Sequence, residues 1–227
     1  MDNQWKVIAH IYNDYQEKFG IPRQSGLVQG IISRIVFEKE YRVAEALRGL
    51  EDYDYIWLLW QFSKNYDKPW SATVKPPRLG GKKRMGVFAT RSPYRPNNIG
   101  LSSVKMERID LVSDEGPVIY VSGADLLDGT PIYDMKPYLA YTDSHPEARE
   151  GFAGTVKGQG ISVKFPQELL EQLPADKREP IMELLRQDPR PGYDGDITRE
   201  YKLVYAGYDI WFRKNEEGLE VFSLFRL

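Results

Sequence analysis

The chain of 227 residues carries 31 Lys and Arg against 33 Asp and Glu, and 41% of its residues are hydrophobic and 13% aromatic. This composition suffices for a folded core, and the formal net charge of −2 argues against a general nucleic-acid binder coated in positive potential. The absence of cysteine excludes disulfides, thiolate nucleophiles and cysteine-based metal sites, and two histidines, His10 and His145, leave little room for a histidine-based one.

The N-terminal part of the chain predicts strands and one short helix. β-Branched and aromatic residues indicate strands over residues 7–15 and 31–37, whereas apolar residues at i, i+4 and i+7 indicate a helix over residues 41–48. Residues 55–62 are mostly apolar, which predicts a strand buried on both faces. Because this run is too short to cross a bilayer and no apolar leader follows the first residues, we expect a soluble, cytoplasmic protein.

The middle of the chain predicts further strands joined by short turns. A strand over residues 85–90 follows a loop rich in Pro, Gly and Lys, and residues 99–111 and 118–122 indicate an antiparallel pair. Short turns in place of long helices favour a mainly β fold, either an antiparallel sheet or a closed barrel, over a doubly wound α/β fold.

A polar, glycine-rich stretch over residues 143–160 predicts a domain boundary near residue 150. Residues 1–150 then form the main domain, and residues 151–227 form a small α+β appendage, which at this size is marginal alone. Within the appendage we expect short helices over residues 167–173 and 181–187 and a hairpin of residues 201–213 and 219–226.

The charge is unevenly distributed along the chain. Residues 68–106, here called the basic window, hold nine Lys and Arg and no Asp or Glu, which leaves a formal charge of −11 on the rest. The same window holds five of the 15 prolines and four of the 19 glycines. Stiff loops that carry cations suit a surface that binds anions.

Arginine stands beside proline in four separate segments, namely residues 22–23, 77–78, 91–96 and 189–191. Proline fixes its own φ and restrains the preceding residue, so such an arginine loses little entropy when it engages a ligand. A guanidinium group pairs bidentately with phosphate or carboxylate. The alternative is four ordinary surface turns.

The common catalytic motifs are absent. The sequence has no phosphate-binding Walker loop, no G-x-S-x-G elbow and no H-E-x-x-H motif. Gly158-Gln159-Gly160 lacks the third glycine and the helix of a dinucleotide fingerprint. Nucleotide hydrolysis, serine hydrolysis and zinc chemistry are therefore disfavoured.

Four motifs stand in order along the chain, namely Gly20-Ile21-Pro22-Arg23-Gln24, the run over residues 86–97, the run over residues 125–138, and Asp188-Pro189-Arg190-Pro191. Together they resemble one known family, the TsaA-like (TrmO) methyltransferases. The resemblance runs from about residue 5 to at least residue 193. One departure is Asn98, where many relatives have proline.

The resemblance implies a closed antiparallel β-barrel that binds S-adenosyl-L-methionine, forms a homodimer, and methylates N6 of threonylcarbamoyladenosine beside the anticodon of threonine tRNA. Asp125 and Asp128 suit the cofactor, since carboxylates accept hydrogen bonds from hydroxyl or amino groups; their alternative role is to form the turn. The positions that match the family's cofactor site are Pro22, Arg23, Gln24, Ser63, Lys64, Arg91, Leu101, Asp125, Leu126, Leu127 and Asp128.

Cationic and aromatic residues of the motif loops are the predicted RNA contacts, because phosphates and carboxylates suit arginine and unstacked bases stack on rings. These residues are Arg78, Lys82, Lys83, Arg84, Tyr94, Arg95, Arg190 and Tyr193. Arg91 and Asp188 are the predicted catalytic residues. For the proton that leaves N6, Asp188, Asp134 and a backbone carbonyl remain open as acceptors, and His10 and His145 are more often structural in such positions.

Two other functions remain open at this point. One is a methyltransferase of the same fold with a different acceptor, because the acceptor contacts are weakly marked in the sequence. The other is a non-catalytic RNA-binding barrel that uses the basic window alone.

Overall fold

The computed structural model of this chain describes residues 5–65, 68–79, 83–155, 160–191, 196 and 198–227, without the side chains of Arg78 and Thr155. Within these residues the strands are β1 (Ala9–Tyr12), β2 (Ile32–Phe37), β3 (Tyr55–Gln61), β4 (Thr73–Val74), β5 (Met85–Gly86), β6 (Ile99–Ser113), β7 (Gly116–Ser122), β8 (Thr130–Pro137), β9 (Val163–Lys164), β10 (Glu200–Tyr205), β11 (Tyr208–Lys214) and β12 (Leu219–Arg226). The helices are α1 (Ala140–Asp143), α2 (Phe152–Thr155), α3 (Gln167–Leu170) and α4 (Ala175–Arg186).

A closed barrel of six strands, in the order β1-β2-β7-β6-β3-β8, forms the larger part of the described structure. All neighbouring pairs are antiparallel, and β8 closes the ring because it pairs with β3 on one edge and with β1 on the other. Fully buried Ile11, Ile35 and Ile56 contribute to the barrel core. The predicted closed antiparallel barrel is confirmed.

The strand β3 differs from its prediction. Its burial alternates, with Ile56, Leu58 and Trp60 buried and the residues between them half-buried. A barrel has one interior, so only every second side chain of a strand points into it. The outward-facing Trp57 instead packs against Tyr138 at 5.6 Å between ring centroids. The expectation of burial on both faces was wrong.

Other segments also differ from their predictions. The helix expected over residues 41–48 is a pair of 3-10 turns, Lys39–Tyr41 and Ala44–Leu47. The strand expected over residues 85–90 ends after Gly86 and continues as a 3-10 turn. The segment 201–213 is two strands, because Ala206 and Gly207 both take positive φ angles and turn the chain.

A second sheet, in the order β10-β11-β12-β9, lies in the C-terminal part with α4. Its core includes Leu203, Phe212 and Leu184, and it also takes in Tyr15 and Val28 from the N-terminal part. The two parts therefore share buried surface, which fits the expected dependence of the small appendage on docking. The division at residue 150 remains a prediction.

Among the described residues, no helix is both long and apolar enough to span a membrane.

Candidate active site

A cavity of about 470 Å³ lies at the end of the barrel where β3 ends and β6 and β8 begin. Its walls consist of four loops, which are distant from one another in sequence, and of the adjoining strand ends. The lining residues are Lys18, Ile21, Pro22, Arg23, Gln24, Trp60, Phe62, Ser63, Lys64, Asn65, Thr90, Arg91, Pro93, Arg95, Ile99, Gly100, Leu101, Asp125, Leu127 and Thr130.

The floor of the cavity carries a buried chain of hydrogen bonds. The Trp60 indole N–H donates to Ser102 Oγ at 2.9 Å, and the Ser102 hydroxyl donates to Asp125 Oδ1 at 2.5 Å. Burial raises the pKa of the Asp125 carboxyl, while the Ser102 hydrogen bond and the nearby Arg91 charge act in the opposite direction. Asp125 is the one acidic residue that lines the cavity within the described part of the chain.

Two aromatic rings form one wall. The ring centroids of Trp60 and Phe62 lie 4.3 Å apart, and their planes are inclined by 58°. The indole lies directly against Gly100, the residue that pairs with Trp60 across β3 and β6. The ladder between β3 and β8 is irregular between Leu59 and Trp60, and such bulges commonly re-aim side chains beside a site.

Cationic side chains surround the rest of the cavity. The Arg91 guanidinium donates a hydrogen bond to Gln24 Oε1. The Lys18 ammonium donates to Asn65 Oδ1 at 2.6 Å and to the Lys64 carbonyl at 3.1 Å. The cavity therefore combines one half-buried carboxylate, that of Asp125, with a basic rim.

The C-terminal motif reaches the same rim. Arg23 Nη2 donates to the Arg190 carbonyl at 2.7 Å, and Arg190 in turn holds the Asp188 carboxylate with hydrogen bonds of 2.8 and 2.7 Å. Arg190 is only 6% exposed. These contacts connect the C-terminal part to the loop that carries Arg23 and Gln24.

Nine of the eleven predicted cofactor-binding residues line the cavity. The other two shape the loop that carries Asp125. Leu126 is fully buried in the barrel core, and its carbonyl accepts a hydrogen bond from the Asn13 amide group. Asp128 Oδ1 accepts from the Asn13 backbone N–H at 2.8 Å, which ties its loop to a segment 115 positions away.

The predicted RNA contacts fall into separate places. Arg95 lines the cavity, and Lys83, Arg84 and Tyr94 are exposed in the loops beside it. Arg190 is buried in its contact with Asp188. Lys82, Tyr193 and the side chain of Arg78 lie outside the described residues.

The side chains considered as proton acceptors, Asp188, Asp134, His10 and His145, are not among the residues that line the cavity. Asp134 is paired with Lys136 at 2.8 Å. His10 lies 2.9 Å from Glu38, and His145 lies 3.9 Å from Glu147, each measured from Nδ1 to a carboxylate oxygen.

Sequence reasoning missed part of the lining, chiefly Lys18, Trp60, Phe62 and Asn65. For Trp60 the alternation of a barrel strand would have given the inward direction. No sequence signal marks Lys18, whose partners are more than 40 residues away. At Asn98, the departure from the family pattern, the carbonyl accepts from the Phe62 N–H at 3.1 Å, a bond that any residue type can supply.

Comparisons with known proteins identify the family of this chain. The family model of the tRNA-methyltransferase O N-terminal domain matches residues 10–144, and the TrmO C-terminal domain model matches residues 158–226. The chain is 39% identical to the Escherichia coli K12 protein named tRNA (adenine(37)-N6)-methyltransferase, over 97% of each chain. It is 31% identical to a Pyrococcus abyssi protein named "Probable S-adenosyl-L-methionine-binding protein", over 65% of this chain and 74% of that protein.

The fold agrees as well. A crystal structure of TrmO from Pseudomonas aeruginosa superposes with a TM-score of 0.79 at 31% identity, covering 100% of this chain and 98% of that one. Sequence motifs, barrel topology and both domain models thus agree over nearly the whole chain, which belongs to the TrmO family of tRNA methyltransferases.

Proposed function

We propose that this chain transfers a methyl group from S-adenosyl-L-methionine to N6 of adenine 37 in tRNA. The observation that carries the proposal is the cavity at the barrel end, where the half-buried Asp125 lies in one lining with Arg91 and Arg23. The activity in the name of the Escherichia coli relative, which matches along nearly the whole chain, supports it.

The cavity suits the cofactor in size, shape and donor set. Its volume of about 470 Å³ falls in the range typical of small-molecule sites. The Trp60 and Phe62 rings offer an apolar wall for a base, Asp125 accepts from ribose hydroxyl or amino groups, and cationic side chains pair with a carboxylate. When bound, the cofactor supplies an electrophilic methyl group on a sulfonium, and the chain's own residues supply alignment.

We propose threonylcarbamoyladenosine in threonine tRNA as the natural acceptor. Such a base ends in a carboxylate, with which arginine pairs well. Arg91 and Arg95 on the proline-held loop both line the cavity, which supports them as its partners. The Arg91 guanidinium donates a hydrogen bond to Gln24, and this bond orients it before a substrate arrives. In this proposal Arg91 is a catalytic residue, because it contacts the substrate.

The proton acceptor is a separate matter. Asp188, the predicted acceptor, has its carboxylate engaged by the Arg190 guanidinium through two hydrogen bonds. Both carboxylate oxygens of Asp188 therefore already accept a hydrogen bond in the structure. Asp188 stays a prediction in this role.

We further propose that the protein acts in the cytoplasm as a homodimer, with residues 1–150 and 151–227 as its two domains. The family resemblance is the basis for the dimer. Sedimentation at micromolar concentration measures the mass directly, and a particle of about 26.3 kDa would contradict the dimer.

Mass spectrometry of tRNA nucleosides tests the activity. Total tRNA is incubated with the enzyme and S-adenosyl-L-methionine, and we expect threonylcarbamoyladenosine to gain the mass of one methyl group. A methyl gain on another nucleoside would favour the same fold with a different acceptor. If calorimetry with the cofactor gave no heat and no nucleoside gained mass, the protein would be a binding barrel.

A further inference from the structure

The loops of the basic window carry three exposed aromatic side chains beside the cavity. Trp70 is 54% exposed, Phe88 is 72% exposed and Tyr94 is 38% exposed. We call these three residues the aromatic platform. Single exposed aromatic residues are ordinary on a protein surface, and these three are distinguished by how their segments are joined and by the charge around them.

Backbone hydrogen bonds hold the three segments of the platform together. The Ser71 N–H donates to the Tyr94 carbonyl at 3.1 Å, and the Val87 N–H donates to the Ala72 carbonyl at 3.0 Å. The pairing of β4 with β5 continues directly from the second of these contacts. Trp70 and Phe88 are therefore each next in sequence to a residue whose backbone is hydrogen-bonded to another segment, and Tyr94 is itself such a residue.

Arg95 braces the platform and links it to the cavity. Its Nη1 donates to the carbonyls of Val87 at 3.0 Å and Thr90 at 2.7 Å. Its guanidinium carbon lies 5.4 Å from the centroid of the Phe88 ring, within the range of a cation–π contact. Since Arg95 and Thr90 both line the cavity, Phe88 stands at most about 7 Å along the backbone from the cavity lining.

The charge around the platform indicates its partner. The basic window has no acidic residue, and the exposed cations Lys68, Lys75, Lys83 and Arg84 belong to the same unit. Single-stranded RNA combines phosphates with unstacked bases, and proteins hold it with cationic grooves and aromatic rings on which bases stack. An apolar protein partner could contact the rings, but it would leave these cations without counter-charges.

We propose that Phe88 and Trp70, with Tyr94, stack on the unpaired nucleotides that flank the target adenine in the anticodon loop. This rests on the proposed function, because it assumes that the cavity receives a base from tRNA. Stacking beside the cavity holds the target nucleotide out of the loop's own stack, while Arg95 keeps Phe88 in place. The platform acts on RNA binding and leaves the cofactor site unchanged.

Binding measurements on single variants test the proposal. We expect Phe88→Ala and Trp70→Ala each to weaken binding of threonine tRNA by about tenfold, as loss of one stacked base does. Both residues are exposed, so the variants should fold, and the heat of S-adenosyl-L-methionine binding should equal that of the unaltered protein. Phe225→Ala, which removes a 59% exposed ring from β12 outside the basic window, is the matched control and should bind tRNA normally.

Two conservative variants separate stacking from apolar contact. Phe88→Tyr should bind tRNA as the unaltered protein does, whereas Phe88→Leu should bind as weakly as Phe88→Ala. An anticodon stem-loop with 2-aminopurine next to the target adenine gives a second readout, because stacking on a ring quenches its fluorescence. We expect quenching by the unaltered protein and loss of quenching with Phe88→Ala.

The outcomes separate this proposal from the proposed function. If the unaltered protein methylates tRNA but Phe88→Ala and Trp70→Ala bind tRNA normally, the platform proposal is overturned and the function stands. Normal binding by Phe88→Leu would also overturn it, since aliphatic contact would then suffice. If the unaltered protein binds tRNA through the platform but transfers no methyl group, the proposed function fails while the platform stands.

Discussion

Gly100 lies so close to the indole of Trp60 that a Cβ atom at position 100 would stand 2.2 Å from Cε2 of the ring. The two residues pair across β6 and β3, at the end of the barrel where the cavity opens. A hydrogen atom in place of a side chain therefore lets the indole lie flat on the neighbouring strand. This position keeps the indole N–H on Ser102, which donates to Asp125.

Gly100→Ala should displace the indole and disturb the cavity floor. Overpacking of a filled site typically costs about 1–3 kcal/mol, so we expect a corresponding loss in the free energy of unfolding, measured by denaturant titration. Calorimetry should show weaker S-adenosyl-L-methionine binding as well. Gly86→Ala is the matched control, because a Cβ there meets open space and the residue has an ordinary negative φ of −57°. Equal behaviour of both variants would contradict the role given to Gly100.

Arg91→Ala should abolish turnover while the protein stays folded. Arg91 is exposed, so the free energy of unfolding should change by no more than about 0.5 kcal/mol. Loss of a charge-assisted contact to the substrate should lower kcat/KM for tRNA methylation by at least about tenfold. Arg48→Ala, which removes an exposed arginine that does not line the cavity, should keep normal activity. Near-normal methylation by Arg91→Ala would contradict the proposal.

Most barrel strands could be predicted because local patterns determine them, whereas those patterns left a sheet and a closed barrel open and the family resemblance implied the barrel. The pair β6 and β7 follows from apolar alternation on both sides of a Ser-Asp-Glu-Gly turn, and the structure places the strands within a few residues of their predicted bounds. The strand β8 was not predicted, since its residues were treated only as part of a motif. A period-2 pattern is visible there once the strand is known, with Thr130 and Ile132 buried.

Contacts across long sequence separations could not be predicted from local patterns. Arg23 and Arg190 are joined by a hydrogen bond across 167 positions, and no periodicity encodes that pair. The sequence marked both arginines as ligand contacts because each stands beside proline. Arg190 is instead buried, and its guanidinium engages Asp188 two residues before it. The residue types of a loop indicate which groups it can bind, but the residue that each side chain contacts depends on the tertiary fold.

Asp188→Asn separates a structural role from proton transfer. Asp188 has a φ of 49°, in the left-handed region that asparagine also tolerates, so the backbone should be retained. The variant leaves the buried Arg190 guanidinium without its charged partner, which should lower the free energy of unfolding by about 1–3 kcal/mol. Loosening of Arg23 should raise the Kd for S-adenosyl-L-methionine in parallel. If stability and cofactor affinity were unchanged while kcat fell and its acidic pH limb disappeared, Asp188 would be the proton acceptor.

Asp125→Asn should change stability in a pH-dependent way and weaken cofactor binding. Burial raises the pKa of Asp125, so the folded protein holds this proton more tightly than the unfolded chain does. Its contribution to stability is therefore complete below about pH 4 and is lost as pH rises to the raised pKa, because the charge must then be kept in a partly desolvated site. Asparagine carries no charge, so the variant should gain stability over the unaltered protein across that window and keep a constant advantage above it.

Thermal unfolding of the unaltered protein and of Asp125→Asn from pH 4 to pH 8 measures this difference in stability. Titratable groups that the two proteins share contribute equally to both and cancel in the difference. Asp114→Asn removes an exposed carboxyl from the turn between β6 and β7, and it is the control for the loss of a carboxylate without burial. At neutral pH the lost carboxylate should weaken S-adenosyl-L-methionine binding by about tenfold or more, since a hydrogen bond to a charged acceptor contributes about 1.5–3 kcal/mol. A stability difference that stays flat over the whole range would show that burial does not perturb Asp125, and cofactor binding of normal strength would remove this carboxylate from the proposed site.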